Sequence, residues 1–149
     1  MRCVVQRSGP AQVDIDGRTV GAIDGGLVVL AAFAPGDTDA ELGWMARKLP
    51  DLRLFNDQDG KMNLSLRDIG GGILLISQFT LYGNCRKGNR PSFVGSAPPD
   101  QAAGLYRRFA DLLREQWSTV AEGVFAATMQ VSLTNEGPVT VIVEREARV

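Results

Sequence analysis

The feature that most constrains this 149-residue chain is the passage from the apolar run Ile73-Leu74-Leu75-Ile76 straight into Ser77-Gln78-Phe79-Thr80-Leu81-Tyr82-Gly83. Consecutive large aliphatic residues leave no face for water, so the run reads as a strand covered on both sides. The chain must therefore supply material to pack on each face of a sheet. The same run delivers Ser77, Gln78 and Thr80 to a fixed place at a strand end, where a rigid scaffold positions reactive groups well. Taken alone, these three read first as polar residues that bond local backbone at a strand end.

The rest of the chain offers strands and two helices. Cys3 and Val5, then Ala11, Val13 and Ile15, alternate with polar neighbours at strand period, and Asp16-Gly17 followed by Arg18 to Ile23 predicts a hairpin. Arg7 falls just past the first strand, either as a solvated charge or as a functional group. Gly26 to Phe33 is a continuous apolar strand, placed centrally. Leu42, Met45, Ala46 and Leu49 recur at helical spacing, with Asp37 or Thr38 as cap and Pro50 as stop. Leu52 to Phe55 and Met62 to Leu66 read as short strands around an acidic surface turn, which lacks the glutamate of a calcium loop. Gly70-Gly71-Gly72 reads as a flexible turn rather than a phosphate loop, because no lysine-serine pair follows it.

From Gly83 to Pro99 the chain reads as loop, with Arg86, Lys87 and Arg90 clustered near its start as either solvated charges or phosphate contacts. Pro98 and Pro99 open a long helix whose expected buried stripe is Leu105, Phe109, Leu112, Leu113 and Trp117, with Arg107, Arg108 and Arg114 on the wet side. Val124 to Leu133 reads as a strand, Asn135 to Pro138 as a tight turn and Val139 to Val143 as the final strand, a C-terminal hairpin. Within that turn Gly137 lets backbone approach a ligand closely and Pro138 fixes the local path, so the pair is either a plain turn or a wall of carbonyls.

Composition excludes several chemistries. The sequence has no histidine, which removes a Ser-His-Asp or Cys-His pair and argues against a catalytic metal site. Cys3 and Cys85 make no disulfide framework. A formal charge of -1 excludes an overall basic nucleic-acid binder but allows a local patch. Length and 44% hydrophobic content suit one globular domain. No signal peptide and no apolar stretch near the ~20 residues that span a bilayer is read, so a soluble cytoplasmic protein is expected.

Ser77-Gln78-Phe79-Thr80-Leu81, taken with Asn135-Glu136-Gly137-Pro138-Val139-Thr140, resembles the paired signature of the bacterial D-aminoacyl-tRNA deacylases. The resemblance extends through Met1-Arg2, Gln6-Arg7, Gly60-Lys61-Met62-Asn63, Arg90-Pro91-Ser92-Phe93 and Met129-Gln130-Val131-Ser132-Leu133. Thr128, where an acidic residue is expected, and Val124, where a basic one is common, depart from it. The resemblance implies an α/β fold, a single compact three-layer domain over residues 1–149 of mixed, largely antiparallel strands with two main helices. It implies no cofactor and no metal. It further implies a homodimer with active sites at the interface, acting on the 3'-terminal adenosine and acceptor end of aminoacyl-tRNA rather than on DNA or a membrane.

Carried over residue by residue, Ser77, Gln78, Phe79 and Thr80 would surround the ester. Gly137-Pro138 of the partner chain, with a cis peptide, would exclude L-amino acids, and Arg7 would orient that segment. Phe125 and Met129 would lie near the adenosine. The activity implied is hydrolysis of D-aminoacyl-tRNA, and of glycyl-tRNA mischarged on tRNA(Ala). An activated ester needs only a modest barrier reduction, and backbone N–H groups of Phe79 and Thr80 are expected to receive the oxyanion. Either the Thr80 hydroxyl or a water assisted by the ribose 2'-hydroxyl attacks, and the resemblance favours the water. The alternatives are a non-catalytic tRNA- or RNA-binding module and an editing deacylase for L-alanyl-tRNA.

Overall fold

The computed structural model describes residues 1–148. Strand β1 (Arg2–Ile15) turns at Asp16-Gly17 into β2 (Arg18–Ile23). Both turn residues have positive φ, 49° and 76°, the geometry whose twist matches a two-residue hairpin. β3 (Gly26–Ala32) leads to helix α1 (Asp39–Asp51) and the small pair β4 (Phe55–Asn56) and β5 (Met62–Leu64). A single helical turn, α2 (Leu66–Ile69), precedes β6 (Gly72–Ser77), which ends in a 3-10 turn over Phe79–Tyr82. Helix α3 (Pro99–Gln116), β7 (Val120–Glu122) and β8 (Gln130–Glu144) complete the order.

The main sheet runs β2-β1-β3-β6-β7, with β8 on the other edge of β1. β1 is antiparallel to β2, β3 and β8, whereas β3, β6 and β7 are mutually parallel neighbours. The sheet is thus mixed and the strand pairs largely antiparallel, with two main helices. The run Ile73 to Ile76 is buried on both faces as its composition demands. Ile73 and Leu75 join the core under α1 and α3 with Phe33, Leu42 and Phe109, while Leu74 and Ile76 join Val13, Ile23 and Val28 on the opposite face. Truncating a side chain of this kind to alanine costs about 2–5 kcal/mol.

Thr38 caps α1 in a reciprocal box with Glu41, whose carboxylate accepts from the Thr38 N–H at 2.9 Å. Asp37 has a different task. Its carboxylate pairs at 2.6 Å with the Met1 ammonium, both groups fully shielded from solvent, and accepts the Ala34 N–H at 2.7 Å. No helix among the described residues is long and apolar enough to cross a membrane.

Several expectations need correction. The C-terminal hairpin does not form: β8 is one strand that follows β1 from Asp14 to Arg2. Ser8 pairs with Asn135 and Gln6 with Thr140, so residues 136–139 bulge out opposite Arg7 and the strand then resumes its direction. Arg7 accordingly lies inside β1, not beyond it. The strand expected over Val124–Leu133 begins only at Gln130, and β7 was not anticipated. The strands expected at 52–55 and 62–66 shorten, since Ser65 caps α2. α1 runs one residue past Pro50. The buried stripe of α3 is Ala102, Tyr106, Phe109, Ala110 and Leu113, with Leu105 and Leu112 only partly covered. Within the glycine run Gly70 makes the turn, as the left-handed C-cap of α2, whereas Gly72 already belongs to β6 and packs against Gly26 of β3 so closely that a Cβ on Gly26 would meet its backbone.

Candidate active site

At the end of β6 the chain leaves the sheet with Ser77 and Gln78 half-buried and Phe79 and Thr80 exposed. Gln78 donates its backbone N–H to the Ala31 carbonyl at 2.8 Å, tying the exit to β3. The 3-10 turn follows, with Leu81 N–H to Gln78 and Gly83 N–H to Thr80. Among the described residues neither the Phe79 nor the Thr80 N–H has an acceptor. Both residues are exposed, so these two unpaired donors are open to an oxygen that gains negative charge. Gln78 Nε2 donates to Thr80 Oγ1.

Ser77, Gln78 and Phe79 form one wall of a cavity of about 630 Å³. Phe93 faces Phe79 edge to face, centroids 5.2 Å apart, and Ala97-Pro98-Pro99 at the start of α3 close another side. The far wall comes from the segment between β7 and β8. Phe125 leans on the buried Tyr106 at 5.8 Å between centroids, and Met129 Sδ accepts the Val124 N–H at 3.4 Å. Ala126 takes a left-handed φ of 64° between them, a conformation that non-glycine residues rarely adopt. None of the lining side chains is ionisable. Val124 and Thr128, the two departures, are exposed beside this wall.

Ser77, Gln78, Phe79, Phe125 and Met129 thus meet at one cavity, with Thr80 hydrogen-bonded at its edge. Gly137, Pro138 and Arg7 do not line it. They form a second cluster on the β8 bulge, where Gly137-Pro138 is cis and both residues are exposed. Arg7 lies beneath them. Its Nε donates to the Glu136 carbonyl at 2.8 Å, and its Nη1 to the Leu54 carbonyl at 2.9 Å and to Asn56 Oδ1 at 3.1 Å. Asn135 Oδ1 accepts the Val139 N–H at 2.8 Å across the bulge. Arg86, Lys87 and Arg90 are all exposed in the loop after the 3-10 turn and contact neither cluster. Phe93 and Ala97–Pro99 join the site without a local pattern that marks them; the one signal for Phe93 is its place in Arg90-Pro91-Ser92-Phe93.

The fold and cavity define an α/β protein that offers a ligand aromatic walls and neutral, unpaired donors rather than ionised groups. Comparison makes the class particular. The model of the D-Tyr-tRNA(Tyr) deacylase family matches residues 4–144. A D-aminoacyl-tRNA deacylase of Geobacter sulfurreducens is 51% identical over 148 residues, covering 99% of this chain and 97% of that one. Its counterpart in Desulfatibacillum aliphaticivorans is 54% identical over 144 residues, covering 97% and 99%. Among solved structures, the c-Myc DNA Unwinding Element Binding Protein superposes with a TM-score of 0.93 at 41% identity, covering 99% of this chain and all of that one. A probable eukaryotic D-amino acid tRNA deacylase, 21% identical with a TM-score of 0.82 over 95% of this chain and 97% of its own, shares the fold. The chain belongs to the D-Tyr-tRNA(Tyr) deacylase family.

Proposed function

We propose that this protein is a cytoplasmic, homodimeric proofreading hydrolase that cleaves the ester of D-aminoacyl-tRNA, and of glycyl-tRNA mischarged on tRNA(Ala), while rejecting L-aminoacyl-tRNA. The observation that carries this reading is the separation of the two signature clusters within one chain, each built and each exposed. Ser77, Gln78 and Phe79 line a cavity with no ionisable side chain, with Thr80 at its edge, and the exposed Gly137-Pro138 bulge is not part of that lining. A two-fold partner that brings its bulge to the cavity would complete the site.

In that site the terminal adenosine stacks in the cavity near Phe125 and Met129, as bases do on aromatic faces. The ester carbonyl points at the free Phe79 and Thr80 N–H groups, each donor worth about 2.7–4 kcal/mol to the transition state. Water, assisted by the ribose 2'-hydroxyl, attacks the carbonyl carbon. The tetrahedral intermediate collapses with loss of the ribose 3'-oxygen, which takes up a proton, giving free amino acid and tRNA. No ionisable side chain lines the cavity to take a proton from the Thr80 hydroxyl, which supports the water route. The partner's Gly137 and Pro138 carbonyls admit hydrogen on one side of the α-carbon and clash with anything larger. Arg86, Lys87 and Arg90 are exposed and free to meet acceptor-end phosphates.

The test is amino acid release from matched D-tyrosyl-, L-tyrosyl- and glycyl-tRNA, with and without EDTA, alongside Thr80→Ala and a sedimentation measurement. Release from the D and glycyl forms alone, by a dimer, surviving EDTA and the substitution, is expected. Comparable cleavage of L-tyrosyl-tRNA would overturn the chiral mechanism. No release from any substrate would leave only an RNA-binding role.

A further inference from the structure

No side chain of the 3-10 turn Phe79–Tyr82 is fully buried: Phe79 and Thr80 are exposed and Leu81 and Tyr82 half-buried, so packing alone holds its orientation weakly. Its near end is held by the Gln78 N–H bond to Ala31. Its far end is held by a residue from the other end of the sequence. Arg2 Nη1 donates to the Leu81 carbonyl at 2.7 Å, a group that the turn's own hydrogen bonds leave free, and the guanidinium lies 4.9 Å from the centre of the Tyr82 ring. Arg2 Nε pairs at the same time with the Glu144 carboxylate of β8.

The strut is stiff at its base. Arg2 sits in the ladder between Ala32 of β3 and Glu144 of β8, so its backbone is fixed on both sides. A guanidinium is planar and presents several donors in a fixed fork, so it can serve Glu144 and Leu81 together; an ammonium is a point charge without that geometry. We propose that Arg2 is a positioning residue for ester cleavage: it fixes the tilt of the Phe79–Tyr82 turn and thereby the direction of the Phe79 and Thr80 N–H groups. This rests on the reading that those two groups receive the oxyanion. A turn displaced by about 1 Å loses on the order of 100-fold in rate without losing the binding surface.

The experiment compares wild type, Arg2→Lys and Arg2→Ala on D-tyrosyl-tRNA, with kcat and KM determined separately and Tm measured for each. Expected is a fall in kcat of about 10- to 100-fold in both variants with KM little changed, and partial recovery of Arg2→Ala by added methylguanidinium. Should Arg2→Ala fail to fold, Arg2→Lys, which keeps the charge, decides the matter. Wild-type kcat in Arg2→Lys, or a loss confined to KM, would overturn the positioning role while leaving the deacylase reading intact. A wild-type protein that releases no D-tyrosine would instead overturn the deacylase reading, and the positioning role with it.

Discussion

Substituting Gly137 by alanine tests the chiral wall most directly. Gly137 has φ 139°, a region that residues with a Cβ avoid. A Cβ there would lie 2.8 Å from Val139 Cγ2, 2.9 Å from Arg7 Nη2 and 3.0 Å from the Val139 nitrogen. None of these can step aside freely. The Val139 N–H is held by Asn135, and the Arg7 guanidinium is already tied to Glu136, Leu54 and Asn56. The bulge must therefore re-form, at about 1–3 kcal/mol for a residue forced into a sparse backbone region. At this chain length each kcal/mol lowers Tm by about 2–4 °C, so the variant stays folded. Displaced carbonyls clash less with an L side chain, and 1–3 kcal/mol of relaxed rejection is about 5- to 150-fold in the D-to-L rate ratio. Initial rates on D- and L-tyrosyl-tRNA measure that ratio. A folded Gly137→Ala protein whose ratio stays within about two-fold of wild type, well under the expected range, would refute the wall.

Three further outcomes are expected. Asp37→Ala should destabilise by about 3–5 kcal/mol in a denaturant titration, because it strands the buried Met1 ammonium without its partner. Burial pushes the Cys3 thiol up to about 12, so an alkylating reagent at neutral pH should label Cys85 alone in the native protein and both cysteines once it is unfolded. Hydrogen bonds from Thr38 hold the Glu41 carboxyl below its ordinary range, and those from the Ser65 backbone and hydroxyl do the same for Asp68. A lowered carboxyl stabilises the fold above its unfolded pKa, and that contribution disappears as pH falls through the folded value. Thermal stability should thus hold from neutrality to about pH 5 and decline below about pH 4, with a shallower decline in Glu41→Gln.

The sheet's centre was legible because Ile73 to Ile76 permits only two-sided burial, and the first hairpin because Asp16-Gly17 suits a single turn geometry. The C-terminal half misled for a physical reason. Asn135-Glu136-Gly137-Pro138 has the composition of a reversal, and local propensity says turn. Pairing with β1 on either side outweighs it, so the deviation is absorbed as a bulge instead. β7, at three residues, is too short to show any period. The site divided in the same way. Ser77, Gln78, Phe79, Phe125 and Met129 followed from the motif pattern and meet at one cavity, whereas Phe93 and Ala97 enter from a loop without periodicity and Pro98-Pro99 from the start of α3. Arg2 stood in the motif pattern only as a flank of the first strand, and its contact with Leu81 spans 79 positions that no local rule connects.

β1 serves both clusters: Arg2 reaches the 3-10 turn and Arg7, five positions on, reaches the bulge, while β2, β3 and β8 all take their register from the strand between and beyond them. The strand behaves as a measuring stick. Adding or deleting one residue between Arg2 and Arg7 would turn one of the two arginines to the opposite face of the sheet and silence one half of the site. Homologous chains should therefore differ in length at the turn Asp57–Gly60 or in the loop from Asn84 to Gly95, and keep the interval from Arg2 to Arg7 constant.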